Sequence, residues 1–532
     1  MASGEEDMQN PGLAGDPPQQ SHAAFLGKLG LLEFYPNRLT LKYLLEINHD
    51  TMSDKELLSL KDVPLAFLKK LLMVNTKCWN YTCTDSETTP NKDSDNDDDE
   101  EEEDNEYDGE EDMYSDDGKV NPLDLVTALY HCADSFLQQE MAIKMSMCQF
   151  AIPFLLPQFS ESCCSLMLWA LRNIYKEWRP RDQLNTKQYV EDSVVHAQIP
   201  VLSFVRLGNC SLSKSQLLNH VLSNAQHINV FTHRDMSGGN APKKIANGLV
   251  EIAWCLPSGK STIDVFPEPV AIANMRGEIS SSDTQFSFLM KVSAAVFVFL
   301  DTMTDEERQL LDSQGSLKSK LFLVINTQRK GLQRKYTNAL KLKEERVLRR
   351  ERRLNMAESN TLITDAMKTA LKECTEMSTL EEMSDIALNM GISVDENKVK
   401  ASVSAKATAE TIMKGIGNSP VEDYKKIQLP LQGDILKELA KTEIEACRLQ
   451  NPGSLSLEEH KAQLHMKRQK LREHQRTIKI SEAAGMFIQA LSTVDKDERA
   501  FFLRWIALQL DRKSRKRTNR TPQRIPRSLH GK

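Results

Sequence analysis

The chain has 532 residues, of which 40% are hydrophobic and 27% charged, with 22 glycines and 20 prolines. This length allows roughly two to four domains, and the composition excludes a collagen-like or wholly low-complexity chain. The formal charge of −7 is unevenly spread: residues 85–117 hold 19 Asp or Glu and one Lys, a net of −18, which leaves +11 on the remainder.

The ten cysteines form no C-x-x-C pair and no Cys/His cluster with zinc spacing. Free thiols in a reducing compartment are therefore expected. The first residues, MASGEEDMQN, lack the basic start and apolar run of a signal peptide. The longest proline-free apolar run, Ala294 to Leu300, is far shorter than the ~18 residues a membrane helix needs. These features predict a soluble protein of the cytoplasm or nucleus, without a membrane span.

Residues 1–22 are polar and rich in Pro, Gly and Gln, and read as a disordered tail. Leucines from Leu29 to Leu72 predict a small helical module over 23–78, broken near Pro36 and Pro64. The acidic stretch within 79–118 repels itself and reads as a linker. A helical segment is expected over 119–195. It opens at Asn121 with Pro122 in the first turn, stops at Pro153 and Pro157, and has a further helix from Leu166 to Trp178.

From Ile199 the texture changes. The runs IPVLSFVRLG, GLVEIAWCL, PVAIAN, AAVFVFLD and KLFLVIN alternate with helical stretches. That alternation predicts a βαβ domain with a mainly parallel sheet over 196–328. Next, residues 329–353 carry 11 Lys or Arg and three Glu, and read as a solvated basic helix. Further helices are expected at 361–391, 434–450, 456–479 and 482–510, within a helical region that runs from 329 to 510. Ser456 and Glu459 form a capping box. Leu457, Leu464, Leu471 and Ile478 recur every seven residues, but His460, Lys467 and His474 interrupt the second seam position. A helix packed on its own chain is expected rather than a dimer. Residues 511–532 read as a basic disordered tail. Its cluster Arg512, Lys513, Arg515, Lys516 and Arg517 is a candidate nuclear-import signal. Solvated helix faces are commoner than nucleic-acid interfaces, so nucleic acid is not an expected partner.

The segment with chemical potential is Gly208-Asn-Cys-Ser-Leu-Ser-Lys-Ser215, between an apolar strand and the helical run QLLNHVLSN. A phosphate-binding loop reads G-x-x-x-x-G-K-[ST] in that context. Gly208, Lys214 and Ser215 keep the spacing, while Ser213 replaces the second glycine and crowds a phosphate. A GTPase also needs D-x-x-G after a later strand. Here Asn274-Met-Arg-Gly277 keeps the glycine and loses the carboxylate that supports magnesium. The guanine-reading [NT]-K-x-D is represented by Asn326-Thr-Gln-Arg329, with Arg in place of the base-gripping Asp. Gly208, Ser213, Lys214, Ser215, Asn274, Gly277 and Asn326 are thus candidate nucleotide-binding residues. No catalytic and no metal-ligating residue is assigned, and no cofactor is certain, GTP with magnesium being at most weakly held. Two further motifs are set aside. Gly259-Lys-Ser-Thr262 precedes two prolines and reads as a hairpin turn. His233-Arg-Asp235 with Asn240 has kinase catalytic-loop spacing but no accompanying D-F-G; it sits where a GTPase switch loop would lie, and its glycines suggest mobility.

The segments FVRLGNCSLSKSQLLN, NGLVEIAWCLPSG, DVFPEPVAIANMRGE, PLDLVTALYHCADSFLQQEMAIKMSMCQFAIPFLLP and FFLRWIALQL resemble the family of interferon-induced very large GTPases and the up-regulator of cell proliferation. The likeness runs from about Phe25 to Leu510. It implies GTP binding, dynamin-like architecture and a cytoplasmic and nuclear distribution. Family members continue past the region like FFLRW into an intact G domain, whereas this chain resembles their front half. The expectation is therefore a mixed, predominantly α-helical protein with a central α/β GTPase-like domain, P-loop type but degenerate. It would act as a pseudo-GTPase scaffold through protein–protein contacts, with full-length family members among the candidate partners. A weak GTP-binding protein or inefficient GTPase is the alternative.

Overall fold

The computed structural model describes residues 20–45, 57, 59–79, 120–159, 164–179, 189–208, 210–223, 229–260, 262–327, 331–350, 356–375, 377–415, 421–429, 433–450, 452–493 and 495–518. The acidic stretch and Arg329 lie outside these residues. The chain is mixed α/β and divides into two compact units, 1–395 and 396–532.

The first unit is built on a nine-stranded sheet of order β10-β9-β8-β5-β7-β6-β1-β2-β11. Its strands are β1 (Ile152–Pro157), β2 (Cys164–Leu166), β5 (Val201–Arg206), β6 (Val250–Cys255), β7 (Val270–Met275), β8 (Ala295–Leu300), β9 (Leu321–Asn326), β10 (Val347–Arg350) and β11 (Ser393–Val394). β3 (Tyr175–Trp178) and β4 (Val190–Ser193) form a separate ribbon. From β10 to β7 the strands run parallel; β6 is antiparallel to β7 and to β1. All five apolar runs seen in the sequence are strands, because a strand covered on both faces reads as a near-continuous apolar run.

Helices cover both faces. In β8, Val296, Val298 and Leu300 enter one core, and Ala295, Phe297 and Phe299 enter the other. Phe204, Phe297 and Phe322 stack across three neighbouring strands, each ring pair 4.9 Å apart. The second core is closed by α5 (Lys214–Ser223) and α9 (Met356–Glu373). The first core takes in α1 (Gln20–Lys28), α2 (Val63–Leu72), α3 (Pro122–Cys132), α4 (Ser135–Met147), α6 (Asp283–Val292) and α10 (Leu380–Asn389). The remaining helices of this unit include α7 (Asp305–Asp312) and α8 (Leu332–Leu340). Every residue of α3 is buried, so it is a core helix rather than an amphipathic surface one.

Several expectations are corrected. The segment from Asn121 forms two helices, because Ala133 is extended and Asp134 caps α4 by accepting from the Leu137 amide at 2.7 Å. Pro153 and Pro157 do not end a helix: both lie in β1, Pro153 beside a register shift and Pro157 at the strand end, the positions a sheet tolerates for a residue without an N–H. No helix spans Leu166 to Trp178; a single turn, Leu168–Leu171, is flanked by strands. The basic segment 329–353 is part helix (α8) and part strand (β10), since Val347 and Leu348 can close the sheet beside β9. Residues 361–391 hold two helices, α9 and α10, separated before the Thr379 capping box. Helix α1 begins at Gln20, inside the expected tail.

The second unit is helical: α11 (Lys400–Lys414), α12 (Val421–Gln428), α13 (Asp434–Arg448), α14 (Leu457–Thr477), α15 (Glu482–Leu491) and α16 (Lys496–Thr518). α11 was not legible in the sequence. Helix α14 packs on α13 of the same chain, although Leu457 of its half seam is exposed. His460 meets Glu445 at 3.1 Å, Lys467 meets Glu438 at 3.2 Å and Arg472 meets Glu443 at 3.1 Å. The Ser456–Glu459 capping box is present. The basic tail is corrected in part, because α16 continues through Thr518. No helix among the described residues is long and apolar enough to cross a membrane.

Candidate nucleotide site

The candidate residues converge at the carboxyl ends of the parallel strands. The chain passes from β5 to β7 on one side and then to β8 on the other, so the strand order reverses around β5. Open α/β sheets bind ligands at such a switch point. The segment 207–213 joins β5 to α5, Asn274 lies near the end of β7, Gly277 follows it, and Asn326 ends β9.

The side chains of Lys214, Ser215 and Asn326 are already engaged, whereas the buried Asn274 Oδ1 and Arg276 Nη2 have no hydrogen-bond partner. Lys214 opens α5, but its ammonium turns inward and donates to the carbonyl oxygens of Phe204 at 3.0 Å and Met275 at 2.5 Å. Burial, and then the Arg276 guanidinium, push its amine well below the usual lysine range. Ser215 Oγ accepts from Asn274 Nδ2 at 3.2 Å and from Arg276 Nη1 at 2.6 Å. Arg276 also donates to Glu251 at 2.5 Å and to the Thr232 carbonyl at 2.9 Å. Arg276 is 8% exposed and Glu251 5% exposed. Burial raises the Glu251 carboxyl, and Arg276 pulls it back down.

The loop itself is held by the protein's own carboxylates. Asp301, just after β8, accepts from the Ser211 amide at 3.1 Å and its hydroxyl at 2.8 Å. Asn326 Nδ2 donates to Ser211 Oγ at 2.7 Å and to Asp301 at 3.3 Å, while its oxygen accepts from Arg350 at 3.1 Å. The Asn326 amide therefore has both ends occupied. Gly208 has a positive φ of 57°, and a Cβ there would lie 2.6 Å from Glu307 Oε1. Ser213 precedes α5 and its carbonyl accepts from the Leu217 amide at 3.1 Å. The Cys210 thiol is pushed up to about 12, mainly by burial and then by Asp301, which excludes a ready thiolate nucleophile.

The loop expected to be mobile is pinned. Asp124 of α3 accepts from three consecutive amides, Lys244 at 2.7 Å, Ile245 at 2.9 Å and Ala246 at 2.8 Å. Asn121 donates to the Ala241 carbonyl at 2.7 Å. Gly238 has a φ of +70°, and a Cβ on Gly239 would meet the His233 carbonyl at 2.0 Å; these glycines serve a tight turn rather than a hinge. Gly259 lies, as expected, in the connection of the β6–β7 hairpin.

Such an arrangement does not fit a magnesium-bound triphosphate. Two lysine hydrogen bonds are spent on main-chain carbonyls, a guanidinium stands against the serine hydroxyl, and carboxylates face the loop where phosphate charge would gather. Among the described residues no group of three His, Cys, Asp or Glu is placed to hold a metal ion. Arg276, Glu251, Asp124, Asp301 and Glu307 escaped the sequence reading. Glu251 was visible as the lone charge in GLVEIAWCL, and Arg276 as a charged residue inside N-M-R-G. The import candidates belong to the second unit, on α16, where Arg515 pairs with Asp511 at 2.8 Å.

Fold and site thus define an α/β-sheet protein whose switch-point crevice is filled by its own side chains. Residues 120–413 match the family profile described as the up-regulator of cell proliferation-like domain, and residues 23–104 match the corresponding N-terminal domain. The chain belongs to this family. It is 34% identical over 517 residues to the up-regulator of cell proliferation of Mus musculus, covering 94% of this chain and 55% of that protein. Similarity extends to interferon-induced very large GTPase 1 of Homo sapiens, 27% identical over 509 residues, or 92% of this chain and 20% of the relative. The human caspase recruitment domain-containing protein 6 is 36% identical over 292 residues, 52% of this chain and 28% of the relative. The chain spans about half the length of the up-regulator relatives it matches.

Proposed function

We propose that this chain is a pseudo-GTPase: a GTPase-like sheet domain, of degenerate P-loop type, that works as an intracellular scaffold through protein–protein contacts. One observation carries the reading: in each of the three elements that would hold phosphate, metal and base, the protein's own groups engage the key side chain, Lys214 through main-chain carbonyls, Ser215 through Arg276 and Asn326 through Ser211 and Arg350. The positions of Gly208–Ser215, Asn274–Gly277 and Asn326 at the carboxyl ends of parallel strands support descent from a nucleotide-binding fold. Relatedness to a protein named a very large GTPase supports the same origin. For nucleotide to enter, Arg276 and Asp301 must each give up a charge-assisted hydrogen bond, and Lys214 a hydrogen bond from an amine whose charge burial disfavours. At about 1.5–3 kcal/mol for each of the first two and about 0.5–1.5 kcal/mol for the third, that forfeits about 3.5–7.5 kcal/mol, or roughly three to five orders of magnitude in affinity. Full-length family members are the proposed partners, in cytoplasm and nucleus. Calorimetry of the intact chain with GTP and ATP, each with magnesium, tests the reading. Weak binding without guanine preference, and no hydrolysis, is expected. A micromolar guanine-specific site abolished by Lys214→Ala would replace it with the alternative, a weak GTP-binding protein.

A further inference from the structure

We propose that Arg276 is a built-in cation. Its guanidinium takes the position of a divalent metal, with Ser215 Oγ, the Glu251 carboxylate and the Thr232 carbonyl as its ligands, and ties the 232–248 loop to the sheet without nucleotide. This rests on the pseudo-GTPase reading of the same crevice. The ligand set is a hydroxyl, a carboxylate and a main-chain carbonyl, at 2.6, 2.5 and 2.9 Å from guanidinium nitrogens. All three are hard oxygens of the kind that magnesium or manganese would take. A guanidinium meets the same oxygens through directed N–H donors and keeps its charge when buried.

The register explains how they meet. Glu251 of β6 pairs directly with Asn274 of β7. Arg276, two residues on, shares that face and reaches the carboxylate diagonally. Asn274 stands where a metal-supporting carboxylate would be needed, and its Oδ1 has no hydrogen-bond partner. With Asn274 neutral, Arg276 and Glu251 balance each other. A divalent ion could enter only by expelling the guanidinium. The same side chain grips the Thr232 carbonyl, and the far end of that loop is held by Asp124. Loop position is therefore set by a permanent charge rather than by a bound metal–nucleotide pair.

The test uses the intact chain and Mn²⁺ alone, so it is independent of whether nucleotide binds. Wild type should show no Mn²⁺ site that depends on Ser215, by calorimetry or electron paramagnetic resonance. Arg276→Ala frees the three oxygens, beside the already unpartnered Asn274 Oδ1. It should bind one Mn²⁺ at least about tenfold more tightly than wild type, a difference of about 1.4 kcal/mol, and its thermal midpoint should rise with Mn²⁺. Adding Ser215→Ala or Glu251→Gln should remove both effects. If Arg276→Ala is unfolded without metal, Mn²⁺-dependent recovery of native near-ultraviolet dichroism is the readout. A wild-type Mn²⁺ site lost on Ser215→Ala would overturn the proposal. So would an Arg276→Ala chain that gains neither Mn²⁺ binding nor Mn²⁺-dependent folding, as expected of an ordinary buried ion pair. A tight guanine site found by calorimetry would sink the pseudo-GTPase reading instead.

Discussion

Asp124 is the residue whose removal should most clearly separate the loop from the helical layer. Its carboxylate is 1% exposed and accepts from three successive amides of residues 244–246. Ile245 and Ala246 are buried and Lys244 is exposed. In Asp124→Ala two amides are stranded away from water, at about 1–3 kcal/mol each, while the Lys244 amide can recover a water. Burial already raises the Asp124 carboxyl, against the pull of those amides and of Lys243, so part of the gross gain is offset by desolvation. A net loss of about 2–5 kcal/mol is expected, a large share of the 5–15 kcal/mol that typically holds a domain. In Asp124→Asn one oxygen still serves Ile245 and Ala246, but an NH₂ faces the Lys244 amide. That variant should lose about half as much. Urea unfolding of the intact chain measures the loss, and hydrogen exchange at 244–246 locates it. If Asp124→Ala unfolds at the wild-type midpoint with unchanged protection of those amides, the anchoring argument is refuted.

Two further outcomes follow from the crevice. Gly208→Ala places a Cβ at positive φ and against Glu307, whose carboxylate also caps α7 through Thr304. It should cost about 1–4 kcal/mol, and the Gly208→Ala/Glu307→Ala pair should cost less than the sum of the singles; strict additivity in denaturation would argue against the contact. Lys214 has its amine depressed by burial, with Arg276, Arg206 and Lys243 pushing the same way and Glu251 opposing. The folded state therefore binds fewer protons there than the unfolded state, and stability rises with pH across the window between the lowered folded value and the ordinary lysine range. Compared with Lys214→Met, wild type should gain up to about 1.4 kcal/mol per pH unit in that window. Parallel stability–pH curves would mean that Lys214 keeps its proton in the fold.

The sequence alone determined the five strands, because a strand covered on both faces reads as a near-continuous apolar run. It also located the capped start of α14, because a capping box is a local arrangement of four residues. The ordering of Gly208–Ser215, Asn274–Gly277 and Asn326 after successive strands was legible for the same reason. Tertiary structure alone decided the rest. β1 hides two prolines that only a register shift and a strand end accommodate, and β10 lies in a segment whose charge mimics a solvated helix. Most of all, the state of the crevice depends on pairs distant in sequence: Arg276 with Glu251, Ser211 with Asp301, Asp124 with residues 244–246. A motif specifies which groups are present near a crevice. Whether those groups face a ligand or each other is set by strand register and by the cost of leaving a buried charge without a partner, and neither is expressed in any short stretch of chain.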